Sequence, residues 1–251
     1  MRVSNNILKC ALPEVLVPKE GVYDVLSDPV SPTGVFYPTG IVVDPEVASQ
    51  FMVTDVRIGG NSQLISRGAV PGCLFAADTP HHLRLDKMPL GSRVGLSVRN
   101  VGPTEQRFRA WVLGSRDVPR QEEGLYVVGF GSTTITNEIT VVMNQLQVAF
   151  HPRVLYVPPG VLDVFRVNSL RQGRYLDADD VPLVNPHALA GEEFLESGYL
   201  RFASESLVGR DVPILVDVTR VSDERRAFTC AILGEPLSVK NASRFNRVKE
   251  G

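Results

Sequence analysis

Two stretches of this chain, 93–114 (RVGLSVRNVGPTEQRFRAWVLG) and 212–234 (VPILVDVTRVSDERRAFTCAILG), carry one pattern. Each alternates apolar and polar residues, crosses a polar turn, and alternates again before ending in Leu-Gly. Val94, Leu96 and Val98 answer to Ile214, Val216 and Val218. Phe108, Ala110 and Val112 answer to Phe228, Cys230 and Ile232, and Gly114 answers to Gly234. Period-two alternation rich in β-branched and aromatic residues is the signature of strands with one face in a core and one toward water. A second pair of landmarks lies upstream. VFYPTGIVV (35–43) and VLYVPPGVL (154–162) each precede a phenylalanine that opens another strand, at Phe51 and Phe165. The offsets are 119 residues for Tyr37 to Tyr156, 114 for Phe51 to Phe165 and 120 for Gly114 to Gly234. Ordered landmarks at a nearly constant offset indicate an internal repeat.

The expected fold is therefore all-β: two tandem antiparallel jelly-roll-like β-sandwiches related by internal duplication. The expected boundaries are an N-terminal arm at 1–19, a first sandwich at 20–117, a polar linker at 118–125, a second sandwich at 126–236 and a basic C-terminal arm at 237–251. The GPTE (102–105) and SDER (222–225) turns read as hairpins, and Thr140–Phe150 as one strand. Val184–Glu196 reads as a short surface helix or a loop. The 21 glycines and 18 prolines are spread along the chain, as many turns between short strands require.

Charge and cysteine usage narrow the function classes. Net charge is −2, so no global attraction to nucleic acid follows. Cys10, Cys73 and Cys230 form no CxxC pair, and they read as reduced thiols rather than zinc ligands. The N-terminus lacks the apolar core of a signal peptide, and no apolar run approaches the ~20 residues of a membrane helix, so synthesis and folding in a cytoplasm are expected.

The residues suited to chemistry do not form a recognisable constellation. A bicupin metal site needs an HxH pair with further ligands converging on it. His81 and His82 are adjacent and would point to opposite faces of a strand, while His151 and His187 stand alone. The acidic groups Asp177, Asp179, Asp180 and Glu192, Glu193, Glu196 fall in loop-like sequence, without the glycine turn of a calcium loop. Neither a GxSxG elbow nor a Walker glycine loop is present, and RIGGNSQ (57–63) reads first as a turn. No catalytic, metal-binding or cofactor-binding residue is expected. The interface candidates are Trp111, placed opposite to Ala110 and Val112 by alternation, and Lys240, Arg244, Phe245, Arg247 and Lys249 of the C-terminal segment.

Two jelly-roll-like sandwiches in tandem over residues 20–236 resemble the compact double-jelly-roll major capsid proteins of tailless icosahedral bacteriophages. The turn-rich NSQLISRGAVPG (61–72) is also similar to stretches of phage structural proteins. The resemblance implies a self-assembling virion subunit, either shell or shell-associated, that forms homotrimers and larger assemblies. Its terminal arms would reach other virion proteins, lipid or nucleic acid. The competing expectation is a carbohydrate- or protein-binding sandwich, such as a phage spike or tail component, using Trp111 as its platform.

Overall fold

The computed structural model describes residues 7–28, 35–76, 83–117, 124–136, 139–173, 181–182, 198–201, 207–210 and 212–237. Of these, 54% lie in strands and 6% in helices, so the chain is all-β. The first half holds β1 (Leu8–Ala11), β2 (Val15–Val17), β3 (Val22–Leu26), β4 (Tyr37–Val43), β5 (Phe51–Ile58), β6 (Asn61–Ser62), β7 (Val70–Pro71), β8 (Val94–Asn100), β9 (Gln106–Phe108) and β10 (Ala110–Ser115). The second holds β11 (Tyr126–Thr133), β12 (Ile139–Gln145), β13 (Phe150–Tyr156), β14 (Phe165–Gln172), β15 (Val181–Pro182), β16 (Tyr199–Arg201), β17 (Pro213–Arg220) and β18 (Phe228–Pro236). Helical pieces are single turns at Ala48–Gln50, Gly72–Phe75 and Pro159–Leu162.

Each half packs two antiparallel sheets face to face. In the first, β1-β10-β4 covers β3-β8-β5-β6, with β7 on β5 and a short β2-β9 ladder alongside. In the second, β11-β18-β13-β16 covers β12-β17-β14-β15. The inner faces are the alternating apolar positions. Ile41, Val43, Ala110 and Val112 meet Val53, Val56, Leu96 and Val98 in one core. Leu155, Cys230 and Ile232 meet Val167, Leu170, Ile214, Val216 and Val218 in the other. Each core is keyed by an edge-to-face phenylalanine pair. Phe51 and Phe108 lie 5.0 Å apart at 70°, and Phe165 and Phe228 lie 5.7 Å apart at 79°. Such contacts add about 0.5–1.5 kcal/mol beyond area burial.

The two halves also share their irregularities. β5 bulges against β8 between Val53 and Asp55, and β14 bulges against β17 between Val167 and Ser169. β4 skips Thr39 against β10, and β13 skips Arg153 against β18. Gly114 lies opposite Pro38 and Gly234 opposite Pro152. A Cβ on Gly114 would fall 2.3 Å from the Tyr37 carbonyl oxygen, and one on Gly234 would fall 2.4 Å from that of His151. Both glycines therefore allow the backbone of the neighbouring strand to approach.

Several sequence expectations need correction. The GPTE and SDER turns do not close hairpins. β8 pairs with β3 and β5 while β10 pairs with β1 and β4, so the chain crosses there from one sheet to the other, and β17 and β18 do the same. Thr140–Phe150 is likewise two strands in different sheets, broken where Leu146 turns into the core at 1% exposure. Residues 8–17, expected within an arm, are β1 and β2, paired with β10 and β9. The register sets Pro38 against Pro152 and therefore Tyr37 against His151, not Tyr156. The helix-or-loop expectation over 184–196 and most of the 118–125 linker lie outside the described residues.

Candidate functional site

Alternation along β10 decides where Trp111 points. Ala110 and Val112 are buried at 2% and 1% exposure, while Trp111 and Leu113 lie on the opposite face and are half-buried. Their cross-strand neighbours are Ala11 and Lys9 on β1 and Val42 and Gly40 on β4. Ile7, just before β1, adds an apolar side chain at 64% exposure. The Lys9 ammonium sits 3.9 Å from the Trp111 ring centroid, a cation–π contact at a partly solvated site. The result is an apolar patch on the outside of the β1-β10-β4 sheet, with one cation over its centre.

The positions matching these in register on β11, β18 and β13 have a different fate. Lys9, Ala11, Gly40, Val42, Trp111 and Leu113 correspond to Val127, Gly129, Val154, Tyr156, Ala231 and Leu233. Val127, Val154, Tyr156, Ala231 and Leu233 are at most 4% exposed and belong to the core of the first half, not the second. The outer face of this sheet is thus pressed against the first sandwich. Its seat is the segment from Ile65 to Phe75, together with Leu83 and Leu85. Backbone bonds stitch the contact. The Gly131 N–H donates to the Ala69 carbonyl at 2.9 Å, the Arg84 N–H to the Leu125 carbonyl at 2.9 Å, and the Gln147 N–H to the Ile65 carbonyl at 3.0 Å. The Gly129 N–H donates to the Ser66 hydroxyl at 2.9 Å, and that hydroxyl donates back to the Gly129 carbonyl at 3.2 Å. The Tyr156 and Tyr199 rings pack at 4.7 Å, tilted by 41°, at the same boundary.

The outer faces of the larger sheets carry polar clusters. In the first half, Arg57 pairs with Asp24 at 3.0 Å and donates to the Ser97 hydroxyl at 3.2 Å, and Ser97 donates to Asp24. In the second, Ser169 donates to Asp217, and Arg171 reaches Asp217 at 3.2 Å. Asp55 lies opposite Ser97 on the ladder, and Ser169 lies opposite Asp217, so the acid and the hydroxyl exchange strands while the arginine keeps its place two residues on. The Ser97 hydroxyl, and then Arg57, hold the Asp24 carboxyl below its ordinary value of 3.8. These are partly exposed structural ion pairs of modest worth.

The β5–β6 turn at Gly59-Gly60 is a two-residue hairpin with Gly59 at φ +60, the left-handed geometry that favours glycine. A shallow cleft of about 380 Å³ beside it is lined by Asn61, Asp86, Lys87 and Ser92, among others. Gln63 holds Asp86 there, accepting from its backbone N–H at 2.7 Å and donating to its carboxylate at 3.2 Å. One cation beside one anion makes no phosphate cradle. All three cysteines are free thiols. Burial pushes each of them up, and Cys230, inside the second core, most of all. Among the described residues no three His, Cys, Asp or Glu side chains gather in a way that could hold a metal, and no helix is long and apolar enough to cross a membrane. His151 lies on β13. His81, His82, His187, Asp177, Asp179, Asp180, Glu192, Glu193 and Glu196 lie outside the described residues, as do Lys240, Arg244, Phe245, Arg247 and Lys249. No protein-family model matches the sequence, and no curated protein matches it.

Proposed function

We propose that this chain is a self-assembling structural subunit of a virion, a capsid shell or shell-associated protein built from two jelly-roll-like sandwiches that arose by duplication. Duplication is supported by features that packing alone does not demand twice: the same order of the three strands β1-β10-β4 and β11-β18-β13 and of the four strands in the facing sheets, the same two bulges, a phenylalanine pair in each core, and glycines at 114 and 234 opposite prolines. The exchange of acid and hydroxyl between Asp55–Ser97 and Ser169–Asp217, beside an unmoved arginine, is a further shared detail.

The observation that carries the functional reading is the dry contact between the halves. One sandwich presents a sheet face and the other a loop seat, so the interface is head-to-tail. Interfaces of this type generate rings or filaments when repeated between chains. A duplicated subunit joined this way is suited to tiling a surface, as the resemblance to double-jelly-roll capsid proteins implies, with three chains presenting six similar sandwiches. The carbohydrate-binding reading is less favoured, because the Lys9 ammonium occupies the Trp111 ring face on which a sugar would stack.

The test is the mass of the purified full chain in solution, measured by light scattering over a concentration and salt series. Trimers or growing assemblies are expected, with particles visible by electron microscopy. A strict 27.5 kDa monomer at every condition overturns the assembly reading and turns attention to a glycan screen.

A further inference from the structure

We propose that the outer face of the β1-β10-β4 sheet, centred on Trp111 and Leu113, is the surface on which a second copy of this chain docks. The inference rests on the self-assembly reading above and adds which surface is used.

A head-to-tail contact joins two different surfaces, so the sheet face of the first half has no counterpart inside the chain to use it. Inside the chain, the second half spends its β11-β18-β13 outer face on the first half. Val127, Val154, Tyr156, Ala231 and Leu233 lie in that contact, all nearly inaccessible. The register-matched face of the first half is Lys9, Gly40, Val42, Trp111 and Leu113. Val42, Trp111 and Leu113 are half-buried and belong to neither core. This face is the next contact surface in the series, continuing an interface already present in the molecule, and a second copy is the partner that continues the series.

The side chains show that the inter-chain contact differs in detail from the internal one. Ala231 and Gly129 are small where the 66–70 backbone lies against the sheet. A Cβ on Gly129 would fall 2.3 Å from the Gly68 carbonyl oxygen. Trp111 and Ala11 stand in the matching places, so the free face carries a half-buried aromatic where the used one carries small residues. Tryptophan is among the residue types most enriched at the energetic centres of interfaces.

The chain's only tryptophan is Trp111, so its emission reports on this face alone. The full-length protein is taken through a concentration series with light scattering, tryptophan emission and acrylamide quenching read on the same samples. In parallel, Leu113→Glu is tested with Trp111 kept as reporter, its fold checked by far-UV circular dichroism and thermal midpoint. The expected result is a blue shift and a loss of quenching that track the rise in mass. The concentration for half-assembly in L113E is expected to rise at least ~10-fold, because ~1.4 kcal/mol suffices for that and carrying a carboxylate into an apolar contact, even one facing Lys9 across the strands, costs more.

If mass rises while Trp111 emission stays fixed and L113E assembles like the parent, this face is not the docking surface, although the self-assembly reading stands. A strict monomer overturns both. Emission already blue and shielded in the dilute monomer would mean that the chain's own residues cover the face, which also overturns the proposal.

Discussion

Gly129 shows at the scale of one residue how two sandwiches of similar plan come to behave differently. Its register partner in the first half is Ala11, which is exposed and carries its methyl group without conflict. At Gly129 the same methyl would meet the Gly68 and Ala69 carbonyl oxygens at 2.3 and 2.6 Å, both fixed backbone atoms. The missing side chain is what lets the Ser66–Ala69 segment bond to β11. Gly129→Ala is therefore expected to destabilise the protein by about 1–3 kcal/mol, as overpacking against an unyielding neighbour does. Ala11→Ser is expected to stay within about 0.5 kcal/mol, as surface changes do. Urea midpoints for the two variants check this. Equal midpoints would mean that the loop yields freely and that the close approach is not a constraint.

At the scale of elements, alternation specified strands well and their partners poorly. β8, β10, β17 and β18 fall where period two placed them, and the outward direction of Trp111 follows from Ala110 and Val112 alone. A two-residue period says which face is buried but not which strand lies alongside, so a polar turn between two alternating runs reads as a hairpin even where the chain crosses between sheets. The Tyr37–Tyr156 match failed for a related reason. The position is set by the bulge and by Pro38 and Pro152, which the register reveals and composition does not. The seat that receives the second sandwich is a loop, and a loop leaves no periodic trace in sequence. Ile65, Leu74 and Phe75 carry no periodicity, although NSQLISRGAVPG was visible as turn-rich.

The polar N-terminal sequence concealed β1, whose backbone pairing to β10 is regular from Leu8 to Ala11. A chain beginning at Pro13 loses that ladder and the burial of Leu12, and it turns β10 into an exposed edge. It is expected to lose more than about 2 kcal/mol, of which Leu12 alone accounts for most, and to sediment as soluble aggregates. A truncated protein with the parental urea midpoint would place β1 outside the cooperative fold.

At the scale of the whole molecule, the core of the first half is completed by the second. Val127, Val154, Tyr156, Ala231 and Leu233 join Val43, Leu74, Phe75 and Leu96 in one buried cluster, so the boundary between the sandwiches is as dry as either interior. Burial of this kind stabilises at roughly 25 cal/mol per Å² of apolar surface, and separating the halves would expose it all at once. Domains joined by small polar contacts unfold separately, whereas a large apolar boundary couples them. The second sandwich can also unfold on its own only by stripping the Ile65–Phe75 seat of its cover and breaking the bonds from Gly131 to Ala69 and from Gln147 to Ile65. The chain is therefore expected to melt and to unfold in urea in a single transition, with circular dichroism and Trp111 emission tracing the same curve although Trp111 reports only on the first half. Two resolved transitions, or a Trp111 curve displaced from the circular dichroism curve, would show that the internal contact is weaker than its burial implies. The same face on the first half would then be a poor candidate for holding a second copy.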